Sequence, residues 1–171
     1  ISQVVTSKGQ ITSMVSALCE TLNCEPRQLE AQLAQYSFAI RVGEELFVRS
    51  IAQIDYENER VHLFCDVAPG EELVMVKRTS MVDTTRKDFD RFLQGKSGKP
   101  LVGLLSDCIL RRLNNGSELS RMTGVFGDTP VVGFSTFGEI LGLNLNQTLT
   151  AVFFFRVAED QSFRDDYIDN F

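Results

Sequence analysis

Tryptophan is absent from the 171 residues, histidine occurs once, and the four cysteines form no Cys-x-x-Cys pair. Each shortage removes a class of chemistry. One histidine cannot build a multi-imidazole metal centre, and Cys19, Cys24, Cys65 and Cys108 lie at no zinc-ligand spacing. A Ser-His-Asp triad would rest on His62 alone. His62 is no metal partner for Cys65 either, because strand residues three apart point to opposite faces. The thiols are therefore expected to be reduced, in a cytoplasmic protein, with no cofactor. Basic runs are missing too. Seventeen Lys and Arg stand against 23 Asp and Glu, a net charge of −6, which disfavours nucleic acid and anionic membrane surfaces as partners. No apolar run approaches the ~20 residues of a membrane-spanning helix, and the longest candidate, from Leu149 to Val157, is strand-length. Dinucleotide, Walker-type and zincin motifs are absent. The Gly95–Gly98 loop lacks the Ser/Thr and helix start of a phosphate cradle.

What remains is an ordinary globular composition, 43% hydrophobic and 23% charged. A chain of this length buries roughly 70% of its unfolded surface. Ile11, Met14, Val15, Leu18 and Leu22 recur at helical spacing, and Pro26 suits the first turn of a second helix carrying Leu29, Leu33 and Tyr36. The period then changes to two. Phe38–Val42, Leu46–Tyr56, Arg60–Val67 and Glu72–Arg78 alternate between turns at Gly43, Glu57–Glu59 and Pro69-Gly70, which predicts an antiparallel meander. A helix is expected over 83–93. A strand buried on both faces is expected over 100–106, and a helix over 109–126 with a break near Asn115-Gly116. Strands follow over 131–137 and 149–157. The fold class is α+β: a mixed, largely antiparallel sheet with helices packed on its faces.

Three stretches carry candidate chemistry. In Val132-Gly-Phe-Ser-Thr-Phe-Gly-Glu139 a strand runs through Thr136 into Gly138 and an acid. Gly138 permits a positive φ or a close approach. Glu139 is either a solvated turn residue or the partner of a bound ammonium. In Ser106-Asp-Cys-Ile-Leu-Arg-Arg112 a strand passes into a helix that Asp107 would cap. Cys108 is there either a buried small residue or a thiol activated by a helix N-terminus. Arg111 is either a salt-bridge residue or a planar fork for a carboxylate. Asn144-Leu-Asn-Gln-Thr148 pins a turn or presents donors and acceptors to a polar ligand.

In order and spacing, Cys108-x-x-Arg111, then Gly133-Phe-x-Thr-x-Gly-Glu139, then Asn146-x-Thr148 before an apolar strand resemble the C-terminal FIST domain. The Pro69-Gly70 turn stands where that family has a similar one. The resemblance implies a ligand-sensing input module of bacterial signal-transduction proteins, such as chemoreceptors and sensor kinases. It binds a small molecule such as an amino acid and is not an enzyme. It implies Cys108, Arg111, Thr136, Gly138, Glu139, Asn146 and Thr148 as ligand-binding residues. Arg111 and Glu139 would take the two ends of a zwitterion. The implied partners are a FIST N-terminal half and an output domain in a longer parent chain. A homodimer is compatible with this reading, and direct membrane insertion is not expected. Residues 1–36 read as a helical segment joined to the domain, 37–157 as the domain, and 158–171 as an acidic linker towards an output domain. Three rival functions stay open: a haem or gas sensor using His62, an enzyme with Cys108 as nucleophile, and a pure interaction domain that docks on another protein half.

Overall fold

A computed structural model of the chain describes residues 1–96, 98–141 and 143–156. The expected tail of residues 158–171 lies outside the described residues.

The first half is built on two helices and two small sheets. β1 (Gln3–Val5) and β2 (Ile11–Ser13) form an antiparallel hairpin. The sequence placed Ile11 at the head of a helix. The helix α1 (Met14–Leu22) begins three residues later, because Ser13 is extended and its hydroxyl accepts the Ser16 N–H at 3.1 Å. Asn23 ends α1 in the left-handed region (φ 49°), a conformation asparagine tolerates better than most residues. α2 (Pro26–Leu33) has Pro26 in its first turn and a Glu25–Gln28 capping box. Tyr36, expected on the α2 face, opens β3 instead (Tyr36–Val42).

β3 is the centre of a three-stranded antiparallel sheet, between β4 (Glu45–Arg49) and β7 (Leu73–Lys77). A sequential meander is therefore not formed. The predicted strand 46–56 breaks at Ser50 into β4 and β5 (Ile51–Asp55), and β5 pairs with β6 (Arg60–Leu63) in a separate hairpin. Ser50 is buried and its N–H goes sideways to Asn146 Oδ1 at 3.3 Å, so it does not continue the ladder. Met14, Val15, Leu18, Leu29, Leu33, Phe38 and Val61 form the core here, uniting the N-terminal helices with the strands.

The second half carries the one parallel pairing among the described strands. β8 (Val102–Cys108) lies between β12 (Leu149–Phe154), antiparallel to it, and β9 (Val131–Thr136), parallel to it. α3 (Met81–Leu93) begins two residues before the expected start, because Ser80 caps it and Glu118 accepts from Ser80 Oγ (2.8 Å) and Val82 N (3.1 Å). Those bonds, that from Val82 first, hold the Glu118 carboxyl below the usual range. The expected helix 109–126 ends at Asn114 (α4, Ile109–Asn114), and Gly116–Met122 tightens to a 3-10 helix. Val82, Phe89, Val125 and Phe126, with Leu105, Leu149 and Phe153, make a second core under one face of the sheet. The other face of β8 stays open, so the expected burial on both faces is not met: Leu104 is 44% exposed. β10 (Glu139–Leu141) and β11 (Leu143–Leu145) form an antiparallel pair between the halves.

The class is α+β with mostly antiparallel strands, as the patterning indicated, but the described strands divide into five small sheets rather than one. Among the described residues no helix is long and apolar enough to cross a membrane.

Candidate functional site

The register of the second sheet sets Cys108 beside Thr136 on β9, and its N–H donates to Thr148 O at 3.0 Å on the β12 side. Three side chains, the last residues of β8 and β9 and the residue just before β12, therefore stand in one row at the end of the sheet. Both outer members, Thr136 and Thr148, donate their hydroxyls to the two oxygens of the Glu139 carboxylate. The carboxylate thus spans the row with Cys108 between its two donors. Glu139 is 9% exposed and Cys108 is fully buried. No Lys or Arg is within ion-pair distance of Glu139 among the described residues.

Gly138 makes this placement possible. Its φ is +148°, and a Cβ there would lie 2.6 Å from Leu145 O and 3.1 Å from Asn144 Oδ1. The backbone so brings β10 against β11, where Glu139 pairs with Leu145. Phe137 and Ile140, the neighbours of this two-residue step, remain largely in solvent.

The structure assigns the other two expected residues to the framework. Arg111 donates to Asp107 Oδ1 at 2.9 Å and to Thr85 Oγ1 on α3, so its fork is filled from within the chain. Asn146 is 1% exposed. Its Oδ1 accepts from Ser50 N at 3.3 Å and from Cys65 Sγ at 2.9 Å, tying the two halves together. Gln147, with φ 57°, adds bonds to Ser37 Oγ (2.9 Å) and Ser50 Oγ (2.8 Å).

One residue of this region escaped the sequence reading. Arg49, the last residue of β4, is 3% exposed. Its Nη1 donates to Asn144 O on β11 at 2.7 Å and to Val48 O at 3.3 Å, and its Nε has no hydrogen-bond partner among the described residues. No carboxylate neutralises it among the described residues. An arginine at the end of a strand carries no sequence signal of this kind. The β10–β11 pair thus adjoins a carboxylate without a cation and a guanidinium without an anion.

Cys65, near Arg49 and Cys108, has its thiol pushed up by burial, with the Arg49 charge acting in the opposite direction. Cys19 is raised too, by burial and then by Cys24. Exposure sets the expected order of alkylation. The half-buried Cys19 and Cys24 react first with iodoacetamide in the native protein, and Cys65 and Cys108 react only on unfolding. Peptide mapping after timed labelling checks this. His62 sits on the exposed side of β6. Among the described residues no group of three or more His, Cys, Asp or Glu is placed to hold a metal ion. A cleft of about 1280 Å3 lies elsewhere, between the N-terminal hairpin, α1 and the 67–75 segment. It is floored by Met14, Leu18, Phe38 and Met75 and contains none of these polar groups.

No curated protein and no solved structure matches the chain. The family model of the FIST C domain matches residues 15–142. That span starts within α1 and takes in Cys108, Arg111, Thr136, Gly138 and Glu139, while Asn146 and Thr148 follow it. The chain belongs to the FIST C family, a family of sensory domains of signal transduction.

Proposed function

We propose that this domain is a cytoplasmic input module that binds a small zwitterion, an amino acid or a close relative, with Glu139 receiving the ammonium and Arg49 the carboxylate. The supporting observation is the pair of buried, opposite charges beside the β10–β11 pair, each without a counter-charge among the described residues. An unpaired buried charge costs several kcal/mol, a cost that a ligand carrying both counter-charges would offset. Thr136 and Thr148 fix the carboxylate by neutral donors, which leaves its charge for the ligand. Cys108 and Gly138 form the wall beside it, and Arg111 and Asn146 hold the frame.

Arg49 Nη1 is bonded to Asn144 O on β11, so a ligand carboxylate that takes this donor competes with the contact that holds β11. That coupling is what an input domain passes to an output domain or a FIST N-terminal half of the parent chain. A site with charged groups at fixed positions rejects analogues that leave one unpaired.

Thermal-shift screening tests this with free amino acids against their N-acetyl and amide derivatives. Free amino acids of at least one side-chain class are expected to raise Tm, and the derivatives to do so far less. In calorimetry, Glu139→Gln and Arg49→Met should each weaken binding by about 2–3 kcal/mol, roughly 30- to 150-fold. Arg111→Met should lower Tm more than affinity. Wild-type affinity in folded Glu139→Gln and Arg49→Met variants would remove the site.

A further inference from the structure

The uncovered face of the second sheet is a surface in its own right. Alternation along the strands, with the register, puts Val102, Leu104, Ser106 and Cys108 of β8 on this face. Beside them stand Val132, Phe134 and Thr136 of β9, Thr148 just before β12, and Thr150, Val152 and Phe154 of β12. The opposite face, with Leu105, Leu149 and Phe153, is the one packed under α3. The open face carries no charged residue along its three strands. Val132 is 63% exposed and Phe134 60%, with Val152 and Phe154 more than half exposed and Leu104 and Val102 more than a third. Six such side chains, each about half exposed, present on the order of 500 Å2, as large as the biggest apolar patch of a typical monomer.

We propose that this face packs against the same face of a second copy of the chain. Two faces of this size remove on the order of 1000 Å2 from water, the lower bound for a specific interface and far less than an obligate one. An uncharged face meets itself without like-charge repulsion, and a two-fold axis needs only one self-complementary patch. The polar end fixes the direction. Glu139 closes one end of the face, and its charge has no cation among the described residues. A parallel arrangement would stack the two carboxylates. An antiparallel face-to-face packing, centred on the Leu104–Val132–Val152 row, sends them to opposite ends of the interface. Sheets packed in this way interdigitate their side chains with strands about 30° from alignment.

Sedimentation velocity on the whole chain, from about 5 to about 300 µM, tests the proposal in the range where a modest interface dissociates. The wild type is expected to pass from monomer to dimer across it. Val132→Lys should leave the far-UV spectrum and Tm close to wild type and shift the midpoint at least tenfold towards higher concentration. Ile11→Lys, an exposed apolar residue on the N-terminal hairpin, should not shift it. Wild type that stays monomeric throughout overturns the proposal. If deleting residues 157–171 from such a monomer then produces a dimer, the C-terminal segment, not a second copy, is the occupant. Dimers that form equally in Val132→Lys and Leu104→Asp overturn it as well, by placing the interface elsewhere.

Discussion

Asn146→Ala is expected to lower Tm by roughly 6–15 °C, the fall that a loss of about 3–4 kcal/mol produces in a domain of this size. The side chain sits in the joint between the halves and is buried to 1%. Its Oδ1 is the acceptor for the Ser50 N–H and the Cys65 thiol. Removing it leaves a buried backbone donor unsatisfied, at about 1–3 kcal/mol, and opens a space where the amide stood. The thiol, a weak donor, adds less. The break at Ser50 depends on the same bond, so β4 and β5 lose the contact that turns one strand into two. Asn144→Ala is the control two residues away. Its side chain is exposed, and the change should stay within about 0.5 kcal/mol. Thermal unfolding followed by circular dichroism separates the two. Equal Tm values for both variants would mean that the Gln147 and Arg49 bonds hold the joint without Asn146.

Gly133→Ala is the second large effect. Gly133 lies opposite Leu105 in the parallel pair β8–β9. A Cβ at this position would stand 2.2 Å from Leu105 O and 2.8 Å from Leu105 Cβ. The obstacle is backbone in the neighbouring strand, not the end of a side chain that could swing aside. One methyl group therefore forces the strands apart along the row that leads to Thr136 and Glu139. A loss of about 3 kcal/mol is expected, at the upper end of overpacking costs. On the proposed function, the loss of ligand response should exceed what that destabilisation explains, because Thr136 moves with β9. Gly116→Ala, where the added carbon meets nothing within 4 Å, should be nearly silent. Denaturant unfolding of the three proteins gives the comparison.

The sequence disclosed those parts of the fold whose cause is local. Pro26 marks α2, the helical spacing of Met14, Val15 and Leu18 marks α1, and Asn115-Gly116 marks the end of α4. Strand pairing was hidden, because it is settled between distant residues. Nothing in the run from Leu46 to Tyr56 announces that Ser50 will donate to Asn146, and nothing in β3 announces that it will take β7 as well as β4. The candidate site divides in the same way. The motif order placed Thr136, Gly138, Glu139 and Thr148 close together, where the carboxylate receives both hydroxyls. It did not reveal that Arg111 is paired with a carboxylate and Arg49 is not, among the described residues. The two arginines differ in their neighbours, Asp107 and Thr85 for one and carbonyl oxygens for the other, and neighbours of this kind come only with the tertiary structure.

The order of the strands also bears on how the chain folds. β1–β2, β5–β6 and β10–β11 close over short stretches of chain and can form early. The pairing of β12 with β8 sets Phe154 beside Val102, across α4, the 3-10 helix, β9 and the β10–β11 pair. Closing so long a loop has its entropic cost before any ladder bond rewards it. The row of Thr148, Cys108 and Thr136 is completed only by that last pairing. The end of the sheet that carries this row is thus the part expected to form latest in folding, and in native-state hydrogen exchange the N–H of Cys108, bonded to Thr148 O, would report when β12 is in place.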